Sequence, residues 1–151
     1  MKEFKTIEDI LDFAIASEQE AIEFYTSLAK HSSNEAMKEV FEQFAGEEKG
    51  HKERLISIKL TGDNTLQIMP VLDLKIADYL VNVEVKPDMS YQDALIVAMK
   101  KEKSAFKLYL TLSERATTTE YKNLFLSLAI EESKHKLRFE IEYDDYILRE
   151  N

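Results

Sequence analysis

Cysteine is absent from the chain, which removes disulfides, thiolate zinc sites, iron–sulfur ligation and thiol nucleophiles. Any metal bound here sees only histidine nitrogen and carboxylate oxygen. The usual mark of a secreted, stapled scaffold is missing too, and the opening residues MKEFKTIEDI lack the long apolar core of a signal peptide, so a cytoplasmic setting is expected. Glycine and proline are scarce, three and two in 151 residues, leaving few places where a helix must stop. No apolar run is long enough to span a bilayer, so no membrane partner is expected. Positive charge is also in short supply: 20 Lys and Arg stand against 29 Asp and Glu, a formal net charge of −9. Holding a phosphate backbone takes clustered cations, so nucleic acid is not an expected partner.

What is present is a 44% hydrophobic fraction rich in Leu, Ile, Ala and Phe. That is an all-α composition, and the length is that of one domain, residues 1–151. The chain is built around two copies of one stretch, Glu47-Glu48-Lys49-Gly50-His51 and Glu131-Glu132-Ser133-Lys134-His135, 84 residues apart. Each copy is preceded at the same distance by a second pattern, Glu18, Ala21 and Tyr25 in one half and Glu102, Ala105 and Tyr109 in the other. The halves align without a gap from about residue 6 to residue 55.

Four long helices are predicted, over about 6–30, 34–60, 91–115 and 119–149. Thr6-Ile7-Glu8-Asp9 and Ser90-Tyr91-Gln92-Asp93 each offer an N-cap hydroxyl followed by acid in the first turn, and Asn34 caps the second helix. Apolar residues recur at spacings of three and four, marking one inward seam per helix. The first seam reads Ile7, Leu11, Ala14, Glu18, Ala21, Tyr25, Leu28, and the second Met37, Phe41, Phe44, Glu48, His51, Leu55, Ile58. The third and fourth are Leu95, Ala98, Glu102, Ala105, Tyr109, Leu112 and Tyr121, Phe125, Leu128, Glu132, His135, Phe139. Between the halves, residues 61–90 form a crossover broken at Pro70 and Pro87, with a short helix and an extended piece expected over 71–85. Two hairpins joined by a long crossover are the layout of a ferritin-like four-helix bundle, since a plain up-down bundle needs no such connection.

Six polar residues therefore stand at core positions: Glu18, Glu48, His51, Glu102, Glu132 and His135. An ionised carboxylate buried alone costs several kcal/mol, and four together repel, so the arrangement requires neutralisation. Two divalent cations match four carboxylates in charge, and nitrogen and oxygen donors suit iron, manganese or zinc. One Glu from each of two helices plus Glu-x-x-His from each of the other two is the donor pattern of dinuclear carboxylate bundles. A solvated acidic face explains one such pattern but not two register-matched copies on the seam. His31 falls in a loop and is expected to be an exposed residue. Tyr25 and Tyr109, two turns beyond Glu18 and Glu102, are either ordinary core residues or ones whose hydroxyls hydrogen-bond the ligands. Gly50, inside the first Glu-x-x-His, leaves room for a close neighbour or a substrate path.

E-x-x-A-x-x-x-Y followed by E-E-x-x-H, given twice, resembles the rubrerythrin branch of the ferritin-like superfamily over nearly the whole chain. The resemblance implies that the six polar seam residues are ligands of a centre of two iron ions, with Glu48 and Glu132 bridging the metals. It implies reduction of hydrogen peroxide or dioxygen. Rubrerythrins carry an iron–thiolate electron-transfer domain, which a chain without cysteine cannot form, so the resemblance implies an external donor such as a rubredoxin-like protein. The family's additional Glu on the third helix has no counterpart three residues either side of Glu102, where Met99 and Ala105 stand. Two other readings stay open: a ferritin-like protein that binds or oxidises iron without peroxide turnover, and a structural bundle with a vestigial metal site. The apolar crossover residues Val71, Leu72, Leu74, Ile76, Tyr79 and Leu80 point either to a homodimer or to packing on the chain's own bundle.

Overall fold

Each long helix begins where a side-chain oxygen stands ready to cap it. The computed structural model of the chain describes residues 3–81, 86 and 88–150, and these form two compact units, Glu3–Leu74 and Lys75–Asn151. In the first unit, helix α1 spans Ile7–His31 and α2 spans Glu35–Thr61. The Thr6 hydroxyl accepts from the Asp9 N–H at 3.2 Å and the Asp9 carboxylate accepts from the Thr6 N–H at 3.2 Å, a reciprocal capping box. The Asn34 side chain accepts from the Met37 N–H at the start of α2. The connection of Ser32 to Asn34 forces α2 to turn back along α1. Cross-helix pairs record the antiparallel course: Asp12 meets Lys59, Gln19 meets Lys52 and Tyr25 meets Phe44.

The expected seams are the buried faces, apart from Leu28, Ala105 and Tyr121, which are part-exposed. Every α2 seam residue from Met37 to Ile58 is buried, as are those of α1 from Ile7 to Tyr25, whereas Glu47 and Lys49 point to solvent. His31 corrects one expectation: it is the last residue of α1 rather than part of a loop, because its ring Nδ1 lies 2.9 Å from the Ser27 carbonyl oxygen. It is exposed, as expected.

After α2 the chain turns at Gly62, whose N–H donates to the Ile58 carbonyl at 2.7 Å. Asp63 then caps a one-turn helix α3, Asn64–Gln67, that seats Leu66 fully inside. The only short α-helix among the described crossover residues thus precedes Pro70 instead of following it. Beyond Pro70 the described chain makes a 3-10 turn, Ile76–Tyr79; of the stretch 71–85, where a short helix and an extended piece are expected, residues 82–85 lie outside the described residues. Val71 and Leu74 are buried in the first unit and Tyr79 in the second, while Leu72 and Leu80 are exposed.

In the second unit the 3-10 turn lies on helix α4, Tyr91–Arg115: the Ser104 hydroxyl donates to the Tyr79 carbonyl at 2.5 Å, and Lys107 sits over the Tyr79 ring. Ser90 caps α4 by accepting from the Asp93 N–H. Helix α5, Thr119–Glu150, runs back along α4, with Phe125, Leu128 and Phe139 inside. Near its end the Glu142 carboxylate, buried, accepts from the Tyr91 hydroxyl at 2.9 Å and from Arg149 at 3.2 Å. No described helix is long and apolar enough to cross a membrane.

Candidate metal centre

In the first hairpin, Glu18 lies midway along α1, and Glu48 and His51 lie one turn apart on α2. Residues three apart share a helix face, so Glu48 and His51 project together toward the α1 side that carries Glu18. His51 Nδ1 is 3.4 Å from Glu48 Oε1 and 3.7 Å from Glu18 Oε2. All three residues are at most 2% exposed, and one ligand atom from each lies within 4.8 Å of the others.

The second hairpin repeats the set. Glu102 comes from α4, Glu132 and His135 from α5, and His135 Nδ1 is 3.5 Å from Glu102 Oε1. These residues are at most 3% exposed, and again one ligand atom of each lies within 4.8 Å of the others. Every residue expected at the site is thus brought into one of two triads, each with two carboxylates and one imidazole.

The donor chemistry fits a metal. Atoms bound at about 2.0–2.2 Å to one ion stand roughly 3–3.5 Å apart, close to the separations seen here and longer than a good hydrogen bond. At the atom level, Nδ1 of each histidine and one oxygen each of Glu18, Glu48, Glu102 and Glu132 are buried with no hydrogen bond, although each of these residues has a further interaction. Four carboxylates and two imidazoles would hold hard or borderline divalent ions such as iron, manganese or zinc, and offer nothing to a thiophilic metal.

Apolar side chains keep the triads dry. Phe41 and Phe44 on α2 and Phe125 and Leu128 on α5 are all buried, and Phe44 meets the ring of Tyr25 edge-on at 6.5 Å. Tyr25 and Tyr109 are buried as well. Gly50 has no close neighbour: a Cβ there would meet nothing within 4 Å, which overturns the close-packing explanation and leaves open space at that turn. Glu142 was not expected inside. It continues the α5 seam three residues past Phe139, a spacing that could have found it, but its partners Tyr91 and Arg149 make it a structural acid rather than a ligand.

Comparison with known proteins agrees with this geometry. The rubrerythrin family's sequence model matches residues 9–84 and 93–151. Among solved structures, the chain is similar to one described as a ferritin-like diiron-carboxylate protein from Thermotoga maritima, with a TM-score of 0.83 and 21% identity over 97% of this chain and 99% of that one. It is also similar to a hypothetical protein from Pyrococcus furiosus, with a TM-score of 0.68 and 31% identity over 91% of this chain and 88% of that one. No curated protein matches the sequence. The fold is therefore all-α and ferritin-like, and the chain belongs to the rubrerythrin family.

Proposed function

We propose that the chain is a non-haem di-iron oxidoreductase that reduces hydrogen peroxide or dioxygen with electrons from a separate donor protein. The observation that supports this reading is the pair of buried Glu–Glu–His triads, Glu18, Glu48 and His51 in one hairpin and Glu102, Glu132 and His135 in the other. Two iron ions held by them would supply the two electrons that, with two protons, convert one peroxide to two waters. The chain's own residues do the remainder. Four carboxylates offset the charge of two divalent ions, and the imidazoles add neutral donors that leave the balance unchanged. Phe41, Phe44, Phe125 and Leu128 exclude bulk water, which strengthens the electrostatics around the ligands. In this reading Tyr25 and Tyr109, on the same helix faces as Glu18 and Glu102, steady the ligand carboxylates.

The test is anaerobic loading with ferrous iron followed by stoichiometric peroxide. Rapid oxidation of two irons per peroxide is the expected result, and iron that stays ferrous rejects the enzyme. A large hollow oligomer taking up many irons per chain would instead favour iron storage.

A further inference from the structure

One stretch of α4 reverses the charge of the chain. The protein carries a net charge of −9, yet between Asp93 and Glu114 the exposed charged residues of α4 are all cations, Lys100, Lys103 and Lys107. At 100° per residue these three fall within an arc of about 60°, in a stripe about 10 Å long on the side of the helix away from buried Glu102. The Tyr79 ring steadies one of them, with Lys107 Nζ 5.7 Å from its centroid. Among the described residues none of the three meets a carboxylate. The nearest exposed acids of the same helix, Asp93 and Glu114, stand two turns beyond either end of the stripe.

The internal repeat shows that the fold does not ask for these cations. Eighty-four residues earlier, the positions matching Lys100, Lys103 and Lys107 are Ala16, Gln19 and Glu23 on α1. In that hairpin the Gln19 side-chain oxygen accepts from Lys52 Nζ at 2.8 Å and so joins α1 to α2, each residue following a member of the triad in sequence. The matching pair in the second hairpin is Lys103 and Lys136, two cations in place of one hydrogen bond. Lys136 turns instead to Glu140 on its own helix at 3.1 Å. Setting like charges opposite each other weakens a hairpin, which points to a partner outside it.

We propose that the face of α4 centred on Lys103 is where the electron donor docks, and that this donor is a small one-electron carrier protein with an acidic surface. The inference rests on the reading above that electrons arrive from a separate protein. An acidic carrier is repelled by the chain as a whole and admitted where the local charge is positive, so the lysines both steer it and fix where it lands. Lys103 follows Glu102 in sequence, and a carrier seated on the stripe stands about one helix diameter, roughly 10–12 Å, from the Glu102 carboxylate. Each carrier gives up one electron, and two in succession supply the two electrons that reduction of one peroxide consumes.

The test uses an acidic rubredoxin as the carrier and the full-length, iron-loaded chain, with no peroxide present. Sedimentation followed at the rubredoxin's visible absorbance gives the dissociation constant, which is expected to rise about tenfold between about 20 and 200 mM salt. Lys103→Glu with Lys107→Glu is expected to raise it at least about tenfold at low salt, with helical circular dichroism and reduction by dithionite unchanged. Lys30→Glu with Lys38→Glu, the same change of net charge placed in the first unit, is expected to raise it less than about threefold. Absence of binding overturns the proposal, as does binding that salt leaves unchanged or that the α4 pair weakens no more than the control pair. A lysine face that holds phosphatidylglycerol vesicles and not the rubredoxin overturns it in favour of a lipid surface. Because docking is read without turnover, a chain that binds the carrier through these lysines and fails to reduce peroxide keeps the docking face and rejects the peroxide reductase.

Discussion

His51 Nδ1 lies 3.4 Å from Glu48 Oε1, one turn earlier on the same helix. The same atom is 3.7 Å from Glu18 Oε2 on the neighbouring helix. In the other hairpin His135 Nδ1 lies 3.5 Å from Glu102 Oε1 on the neighbouring helix. In each hairpin the imidazole Nδ1 therefore stands within 3.7 Å of a carboxylate on the neighbouring helix, and each hairpin gathers its own three ligands.

This gives a prediction about metal content. Wild-type protein dialysed against ferrous iron without oxygen is expected to retain two ions per chain by elemental analysis, and His51→Ala or His135→Ala to weaken binding at least tenfold. Two ions held as tightly in His51→Ala as in wild type would remove His51 from the ligand set.

The burial of four carboxylates implies a cost in the metal-free protein. Glu102, 1% exposed, shares its site with Glu132, and two carboxylates brought together in a buried site disfavour the metal-free fold. Glu102→Leu is expected to be more stable than wild type in urea with a chelator present, and to lose the rise in Tm that metal gives wild type. A variant less stable than wild type without metal would show that Glu102 serves the fold rather than the site.

The six polar seam residues were legible in the sequence because a charged residue where a hydrophobe belongs is informative, and because the repeat stated it twice. Helix starts were legible for a local reason: Thr6, Asn34 and Ser90 satisfy N–H groups two or three residues on. The turns at Asn64–Gln67 and Ile76–Tyr79 were not, since one turn of helix is held by tertiary contacts such as buried Leu66 and the Ser104 bond to Tyr79. The exposure of Leu137 and Leu148 was hidden for another reason: the helical period assigns the face opposite the inward seam to polar residues, and these two leucines stand there in the open.

Glycine substitutions separate close packing from simple helix propensity. Gly62 has φ −59°, which any residue adopts, but a Cβ there would come within 2.2 Å of Leu66 Cδ2 and 2.7 Å of the Ile58 carbonyl oxygen. Leu66 is fully buried and the carbonyl belongs to the α2 backbone, so neither yields easily. Gly62→Ala is expected to destabilise by about 1–3 kcal/mol. Gly46, inside α2 with nothing within 4 Å, should respond the opposite way: Gly46→Ala stabilises by about 0.5–1 kcal/mol. Thermal unfolding of the two variants checks both signs at once, and a neutral Gly62→Ala would refute the close approach.

The alkaline limb of stability is expected to depend on Tyr91. Its hydroxyl pKa is raised, first by burial of the half-buried ring and then by the hydrogen bond to Glu142. A raised pKa means that folding favours the protonated phenol. The stability this contributes is complete below the ordinary tyrosine value of about 10 and is lost as pH rises through the higher folded value. Tyr91→Phe removes the titration and the bond together, leaving Glu142 with Arg149 at 3.2 Å. At pH 7 the variant should be less stable than wild type by about 0.5–1.5 kcal/mol, the net worth of one hydrogen bond. Above about pH 10 the gap should narrow, because wild type now pays to keep its phenol protonated while phenylalanine has nothing to titrate. Urea unfolding of both proteins at pH 7, 9, 10.5 and 11.5 measures the gap directly, and one that stays constant across that series would show that Tyr91 contributes packing alone.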